Sequence, residues 1–539
     1  MLLRLGGKPT VDSENPRQAE AGEAGSWDAQ ALVALTGFAM LLALYFIARY
    51  GGQWTDIDTA TITAAIRAIG ETGSLTPSVG GVYPQGYGYA AVSNFVLAAT
   101  GSDLAALQRI YYPLVSAFLV LPAWALYREL TGSRRAAALA TLLLFLQPEF
   151  LFVVLRGSHE RMLRAEMLAC LWLLLRGFRY REQPRAFAVH VALFYLAAFA
   201  LIATNVLFGS SLFVAIATVL AGAWFLARLG VKPLRLAGPV IDRLWLVSLI
   251  GAVLAFGFIF YIYAPALGSL QAVGTLGQKL AQLFLTTQGG SNQYSAVVGG
   301  WIGLPVYFAL GIADYLLLFG SLAVWIRQGV GWLHGTRIGE KSTLNARILW
   351  LLYAAFALQG ILAVFADRIN YLGGNLELRA FPTFATVAVP LVAVPLARWR
   401  PGRPAALLAG VAIALLTGLA LLKATNEPSL SNKWVFYTTP EIQALRWADR
   451  HSHAEAIWVG LDERLSTAYS VAVGYTSQMN RWDTYDPKPD ARAFVISEIT
   501  RLRSARLKDP LPAVAAENRI YDDGQAQIFR LRPRSPFQK

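Results

Sequence analysis

Residues 29–58 read AQALVALTGFAMLLALYFIARYGGQWTDID. The run Ala29–Ala48 carries no charged side chain, and it has the ~20 residues a helix needs to cross a bilayer core. It leads straight into a polar loop that holds two carboxylates, Asp56 and Asp58. A cleaved signal peptide would have a shorter apolar run, a more basic start and a small-residue cleavage site. The run therefore reads as an uncleaved first transmembrane helix. Residues 1–28, polar and mixed in sign, read as a loose tail before it.

The rest of the chain repeats this pattern. Charged residues are only 15% of the 539, and hydrophobic residues are 55%. A soluble domain carries about 25% charged residues, so a water-soluble enzyme and a disordered chain are both excluded. Apolar runs at Ile110–Tyr127, Ala136–Leu155, Leu244–Tyr263, Trp301–Ile326, Ile348–Ala366, Ala380–Ala397 and Ala405–Leu422 read as further spans. Ala186–Ala227 is long enough for two, with a break near Thr204-Asn205 or Gly209-Ser210-Ser211. Met162–Leu175 is interrupted by Arg164 and Glu166 and is counted because the alternation of loops requires it. The fold class is thus a polytopic α-helical membrane protein with about eleven spans.

Charge placement orients it. Arg128, Arg134 and Arg135; Arg176, Arg179, Arg181 and Arg185; Arg228, Lys232, Arg235 and Arg243; Arg327, Arg337, Lys341 and Arg347; and Arg398, Arg400 and Arg403 occupy every second loop. The positive-inside rule makes that set cytoplasmic. The N-terminus is then inside, in a plasma (inner) membrane, and the chain after Leu422 is outside. The net charge of +14 is a topology signal, and no nucleic-acid partner is expected. The single cysteine, Cys170, excludes a disulfide framework.

The expected organisation is a cytoplasmic tail 1–28, a transmembrane domain 29–422 with a first outer loop 51–107, and an extracytoplasmic domain 423–539. Another outer segment, Ala264–Gly300, holds the polar stretch Thr286–Gln293. In the last region Thr439-Pro440-Glu441 reads as N-cap, first-turn proline and first-turn acid. Ala456–Gly460 reads as a strand, Ala491–Arg506 as a helix, and Asp522-Asp523-Gly524 as a hairpin turn between Arg519–Tyr521 and Gln527–Leu531. Together these make a small α/β domain.

Candidate chemistry gathers in the outer loops. Asp56 and Asp58 stand at i and i+2 just past the first span, where a carboxylate can act as general base on a hydroxyl acceptor. Asp58 could equally cap a helix over Thr59–Ile69, which should end at Gly70. Tyr83-Pro84-Gln85-Gly86-Tyr87-Gly88-Tyr89 joins aromatic faces to closely approachable backbone. That suits a sugar ring or lipid headgroup, and equally an interfacial aromatic belt. Arg156, Arg161 and Arg164 surround His159 and Glu160, while Arg368 and Arg379 flank a loop containing Asn370. Arginine in an outer loop runs against the topological preference. A phosphate would offset it through charge-assisted bonds; so would Glu160, Glu166, Asp367 and Glu377, or anionic lipid. Glu149 and Asp314 fall within predicted spans, where acids are costly. The chain has no Walker loop and no G-x-S-x-G, so an activated donor would reach an outer site attached to lipid.

The pattern resembles the GT-C superfamily of integral-membrane glycosyltransferases, which use polyprenyl-phosphate sugars. The likeness is sharpest at Asp56-Ile57-Asp58-Thr59 through Leu75, at Tyr83–Tyr89, and at Leu376–Pro382. Within the superfamily it looks most like the bacterial branch of protein O-mannosyltransferases and lipid A aminoarabinose transferases. The resemblance implies a catalytic or acceptor-orienting Asp56, then Asp58. It also implies a polyprenyl-phosphate-linked donor and a glycan, lipid or protein acceptor, with Tyr83, Tyr87, Asn370 and the arginines in the binding site. Mannosyltransferase-like enzymes often carry Asp-Glu where this chain has Asp-Ile-Asp. The Asp-x-Asp form is similar to oligosaccharyltransferases, some of which need a divalent metal, so Asp56 and Asp58 are the metal candidates. The W-W-D-Y-G signature of those enzymes is not matched by Arg481–Asp486. A transporter or flippase, or a non-catalytic assembly or sensor protein, is the alternative from another class. Convergence of Asp56, Arg379 and Arg156–Arg164 would favour the enzyme.

Overall fold

The computed structural model describes residues 16–50, 54–55, 57–76, 83, 85–155, 159–180, 182–228, 257, 259, 261–265, 275, 304–333, 344–368, 376–425, 435–436, 438–451, 456–458, 465, 479–480, 491–501 and 517–530. Asp56, Arg156, Asn370, the Thr286–Gln293 stretch, Arg481–Asp486 and most of Leu244–Tyr263 lie outside them.

Helix α1 (Pro16–Tyr50) contains the first apolar run. It starts inside the stretch expected to be a loose tail, with proline at its first position, where no N–H is needed. Strand β1 (Trp54–Thr55) and helices α2 (Ile57–Thr72) and α3 (Gly88–Thr100) follow. Helix α2 runs past Gly70 to Gly73, whose φ of 66° closes it. Gly70 stays helical because its missing side chain leaves room for Asn94, whose Nδ2 bonds Ile66 O at 2.9 Å; a Cβ there would sit 2.6 Å from Asn94 Oδ1. Asp58 lies inside α2 rather than before it.

The bundle continues with α4 (Leu104–Thr131), α5 (Arg134–Phe145), α6 (Pro148–Leu155), α7 (Glu160–Arg179), α8 (Pro184–Thr204) and α9 (Val206–Arg228). Then come α10 (Leu304–Leu310), α11 (Ile312–Leu333), α12 (Leu344–Arg368), α13 (Leu376–Arg398) and α14 (Arg403–Thr425). Among the described residues seven helices are long and apolar enough to cross a membrane. The α5–α6 pair would make an eighth, bent by 72° at residues 146–147. Pro148, which lacks an N–H, starts the new direction. This is a multi-pass membrane protein.

Helix α7 carries too many charges to count among the seven, yet Leu163, Met167, Leu168, Cys170 and Leu171 put it in the bundle core. The long run splits at Asn205 as expected. Asn205 is extended (φ −159°, ψ 112°), and its Oδ1 caps α9 by accepting from Leu207 N at 3.0 Å and Phe208 N at 3.2 Å.

Strand β2 (Val435–Phe436) pairs antiparallel with β1, Trp54 opposite Phe436. The chain after α14 is thereby held beside the residues that precede Asp56. Helix α15 (Thr439–His451) begins at the expected cap residue itself, one residue earlier than the expected helix start. Thr438 is the cap: its Oγ1 accepts from Glu441 N at 3.4 Å, and Glu441 Oε2 accepts from Thr438 N at 2.7 Å. Strands β3 (Ala456–Trp458), β4 (Met479–Asn480), β5 (Ala491–Ser497), β6 (Asn518–Asp522) and β7 (Ala526–Arg530) form a small C-terminal sheet ordered β4-β3-β5-β7-β6. The segment read as a helix from Ala491 is strand to Ser497. Phe494, Val495 and Ile496 are all buried, and a run of that kind is satisfied as an inner strand, here between β3 and β7. A helical turn starts only after Ser497, whose Oγ accepts from Thr500 N at 3.1 Å.

Candidate active site

The aromatic loop of the first outer segment docks on the α8–α9 break. Gly86 and Gly88 allow this. A Cβ on Gly86 would stand 2.4 Å from Ala203 O and 2.6 Å from Thr204 O, and one on Gly88 would stand 2.8 Å from Thr204 Oγ1. Val206 N bonds Gln85 O at 2.8 Å. Tyr263 donates to Tyr83 O at 2.6 Å, and its ring packs 5.3 Å from that of Tyr87. Tyr87 is half-buried, and that burial raises its phenol above the ordinary value.

His159 joins this loop to the bundle. Its Nε2 lies 3.2 Å from Tyr83 Oη and 2.9 Å from Asn205 Nδ2. The amide can only donate, so Nε2 is the acceptor and the neutral ring carries its proton on Nδ1. Tyr83 then donates as well. With His159 1% exposed, its place is that of a latch between the aromatic loop and the helix break. Glu166, about two turns further along the same face of α7, accepts from the Oγ1 of Thr204 at 3.0 Å, the residue against which Gly88 packs.

Arg161 and Arg164 are both buried. Arg161 donates to Leu155 O at 3.4 Å and lies 5.4 Å over the Tyr112 ring. Arg164 donates to Thr383 Oγ1 and to Arg379 O, the latter at 3.2 Å. Its Nη2 is 3.8 Å from Glu160 Oε2, and its guanidinium stacks 5.0 Å over Phe208. Arg164 is therefore enclosed and bound to the first turns of α13, while Arg379 is half-buried at that helix's start. Asp367, at the end of α12, accepts from Leu376 N at 2.8 Å and Glu377 N at 2.7 Å.

One cluster was not readable as a unit in the sequence. Lys423 in the last turn of α14 lies 2.7 Å from Glu149 Oε1 and 3.0 Å from Asp314 Oδ2. Both acids stood out as charges within predicted spans. Their partner did not, because nothing in the local pattern points from residue 423 to α6 and α11. Asn205, Tyr263 and Thr383 were missed for the same reason.

The structure thus brings Tyr83, Tyr87, His159, Glu160, Arg161, Arg164 and Arg379 to one end of the bundle. Strand β1 and the start of α2 bracket Asp56 in the chain, and the side chain of Asp58 is not among those described. Among the described residues no three His, Cys, Asp or Glu side chains converge as metal ligands.

The fold is similar to that of solved structures. The archaeal oligosaccharyltransferase AglB from Archaeoglobus fulgidus, in complex with an inhibitory peptide and a dolichol-phosphate, aligns with a TM-score of 0.54 at 13% identity over 89% of this chain and 70% of that one. This is a GT-C fold. The apo form of the Archaeoglobus fulgidus oligosaccharyltransferase aligns with this chain at a TM-score of 0.52 and 13% identity, over 87% of this chain and 69% of that one. ArnT from Cupriavidus metallidurans bound to undecaprenyl phosphate aligns at 0.46 and 13% identity, over 92% and 97%. No family model and no curated protein sequence matches this chain.

Proposed function

We propose that this GT-C protein is a glycosyltransferase that moves a sugar from a polyprenyl-phosphate donor to an acceptor on the outer side of the membrane. The acceptor is a cell-envelope glycan, lipid or protein. The observation that carries this reading is convergence. The aromatic loop, the buried arginines of α7 and the Arg379 turn of α13 meet at one end of the bundle. The β1–β2 pairing brings the C-terminal region to the chain beside Asp56. In this reading that end faces outward, the arginine-rich loops face the cytoplasm, and the membrane is the plasma (inner) membrane.

The reaction is an inverting displacement. Asp56 takes the proton of the acceptor hydroxyl, or orients it, with Asp58 beside it. The acceptor oxygen bonds the anomeric carbon as the bond from that carbon to the phosphate oxygen breaks. The departing lipid phosphate gains negative charge, which Arg379, with Arg156 or Arg161, stabilises. Arg164 stands behind them. Tyr83 and Tyr87 line the sugar side, Asn370 belongs to the loop that leads to Arg379, and the lipid tail lies between helices. A divalent metal, if bound, would be held by Asp56 and Asp58 and would supply Lewis-acid charge to the phosphate.

The test is purified protein incubated with a panel of radiolabelled polyprenyl-phosphate sugars and membrane extract. Wild type transfers label or releases lipid phosphate. Asp56→Asn inserts normally and does neither. Near-normal transfer by Asp56→Asn ends the assignment.

A further inference from the structure

The turn that presents Arg379 does not hold itself in place. As at the start of any helix, the first N–H groups of α13 have no intrahelical partners. Pro382 sits inside the helix. Its ring removes the N–H that would bond the Leu378 carbonyl, and a proline at that position also crowds the preceding turn. A first turn weakened on both counts should splay, and a guanidinium carried on it would wander.

Two buried groups from other helices hold this turn from outside. Asp367 is 2% exposed and divides its two oxygens between successive amides, Oδ1 to Leu376 N and Oδ2 to Glu377 N. It also lies within electrostatic range of Arg379. Arg164, fully buried, works from the other side of the same turn. One arm of its guanidinium bonds Arg379 O and the other Thr383 Oγ1, one turn apart on α13. Its own plane is set by the Phe208 ring beneath it and by Glu160 beside it. The turn is thus gripped by its amides from α12 and by its carbonyl face from α7.

We propose that Asp367 and Arg164 are positioning residues that fix the Leu376–Thr383 turn so that Arg379 meets the donor's phosphate. This rests on the reading of Arg379 given under Proposed function. It adds that Asp367 and Arg164 act on phosphate binding through Arg379, without touching the phosphate. A carboxylate that improves the binding of an anion is the distinctive expectation, because by charge alone Asp367 should oppose it.

The experiment is binding of undecaprenyl phosphate, in detergent micelles, to wild type, Asp367→Asn, Arg164→Lys, Arg379→Ala and the Asp367→Asn/Arg379→Ala pair, with a melting curve for each. Asp367→Asn keeps one amide acceptor and the side-chain shape, so it is the variant least prone to misfold. Asp367→Asn and Arg164→Lys should each bind about fivefold to tenfold more weakly, the scale of one lost cap or charge-assisted bond. Donor KM should rise by a similar factor while kcat falls less. In the Arg379→Ala background, Asn at 367 should cause no further loss. Binding by Asp367→Asn equal to or tighter than wild type overturns the inference, as does an equal further loss in the Arg379→Ala background. Undiminished binding by Arg379→Ala alone would instead remove the phosphate role of Arg379, and the positioning role with it.

Discussion

Lys423→Met isolates the charge in the Glu149–Lys423–Asp314 cluster, because methionine keeps most of the aliphatic stem. The ammonium stands 2.7 Å from one carboxylate and 3.0 Å from the other. The three side chains are 17%, 13% and 9% exposed, so solvent screens them poorly. At an effective dielectric of about 20, unit charges ~3 Å apart attract by about 5 kcal/mol before desolvation is subtracted. Removing one partner from a buried pair costs about 3–5 kcal/mol, mostly because a buried charge is left uncompensated. Here two carboxylates are left facing each other. At roughly 2 °C per kcal/mol, the low end appropriate to a long chain, the melting midpoint should fall by about 6–10 °C. The assay is thermal unfolding in detergent, with Lys423→Arg as a near-neutral control. Glu149→Gln/Asp314→Asn/Lys423→Met should recover most of the loss, since an uncharged set of similar volume carries no desolvation cost. An unchanged midpoint for Lys423→Met would show that these charges are hydrated and that the argument from burial is wrong.

Two further outcomes follow from the docking loop and the C-terminal hairpin. Gly86→Ala places a Cβ 2.4 Å from Ala203 O; backbone cannot yield as a flexible side chain does, so the loop should shift off the α8–α9 break. Transfer activity should collapse with helix content by circular dichroism intact, and full activity would refute the close approach. Asp522 accepts from Gly524 N at 2.9 Å and from Gln527 and faces Arg519, which hold its carboxyl below the ordinary value. Because the folded value is the lower one, its contribution is complete above the ordinary carboxylate range and fades as pH falls through the lowered value. Amide-exchange protection at Gly524, whose N–H is the one held by Asp522, should therefore drop in acid for wild type but stay level for Asp522→Asn; parallel curves for the two would count against the linkage.

The helical layout was readable in advance because its signal is local. Uncharged runs of spanning length locate α1, α4, α12, α13 and α14 without any knowledge of their neighbours, and the break at Asn205 falls where polar residues interrupt apolar ones. The errors arose where a partner decides the outcome. Ala491–Ser497 forms a strand because β3 and β7 flank it, although its residues would also fit a helix. Gly70 does not end α2, because Asn94 fills the space that its missing side chain leaves. Thr438 and not Thr439 caps α15, since the reciprocal bond with Glu441 spans three residues.

For the candidate site the division is sharper. Residue type and loop charge single out Arg161, Arg164, Arg379, His159 and the acids of the first loop, each as a charge or ring that a membrane-facing chain should not spend without a reason. Only the packed helices assign them different tasks. His159 is a latch because Asn205 and Tyr83 reach the same nitrogen, and Arg164 is a brace because α13 lies across it. Lys423 pairs with two acids that are remote from it in the chain. Hydrophobicity acts residue by residue along the chain, so membrane class and span positions are written there. Hydrogen bonds and ion pairs act over about 3 Å, so their partners are set only when distant helices come together.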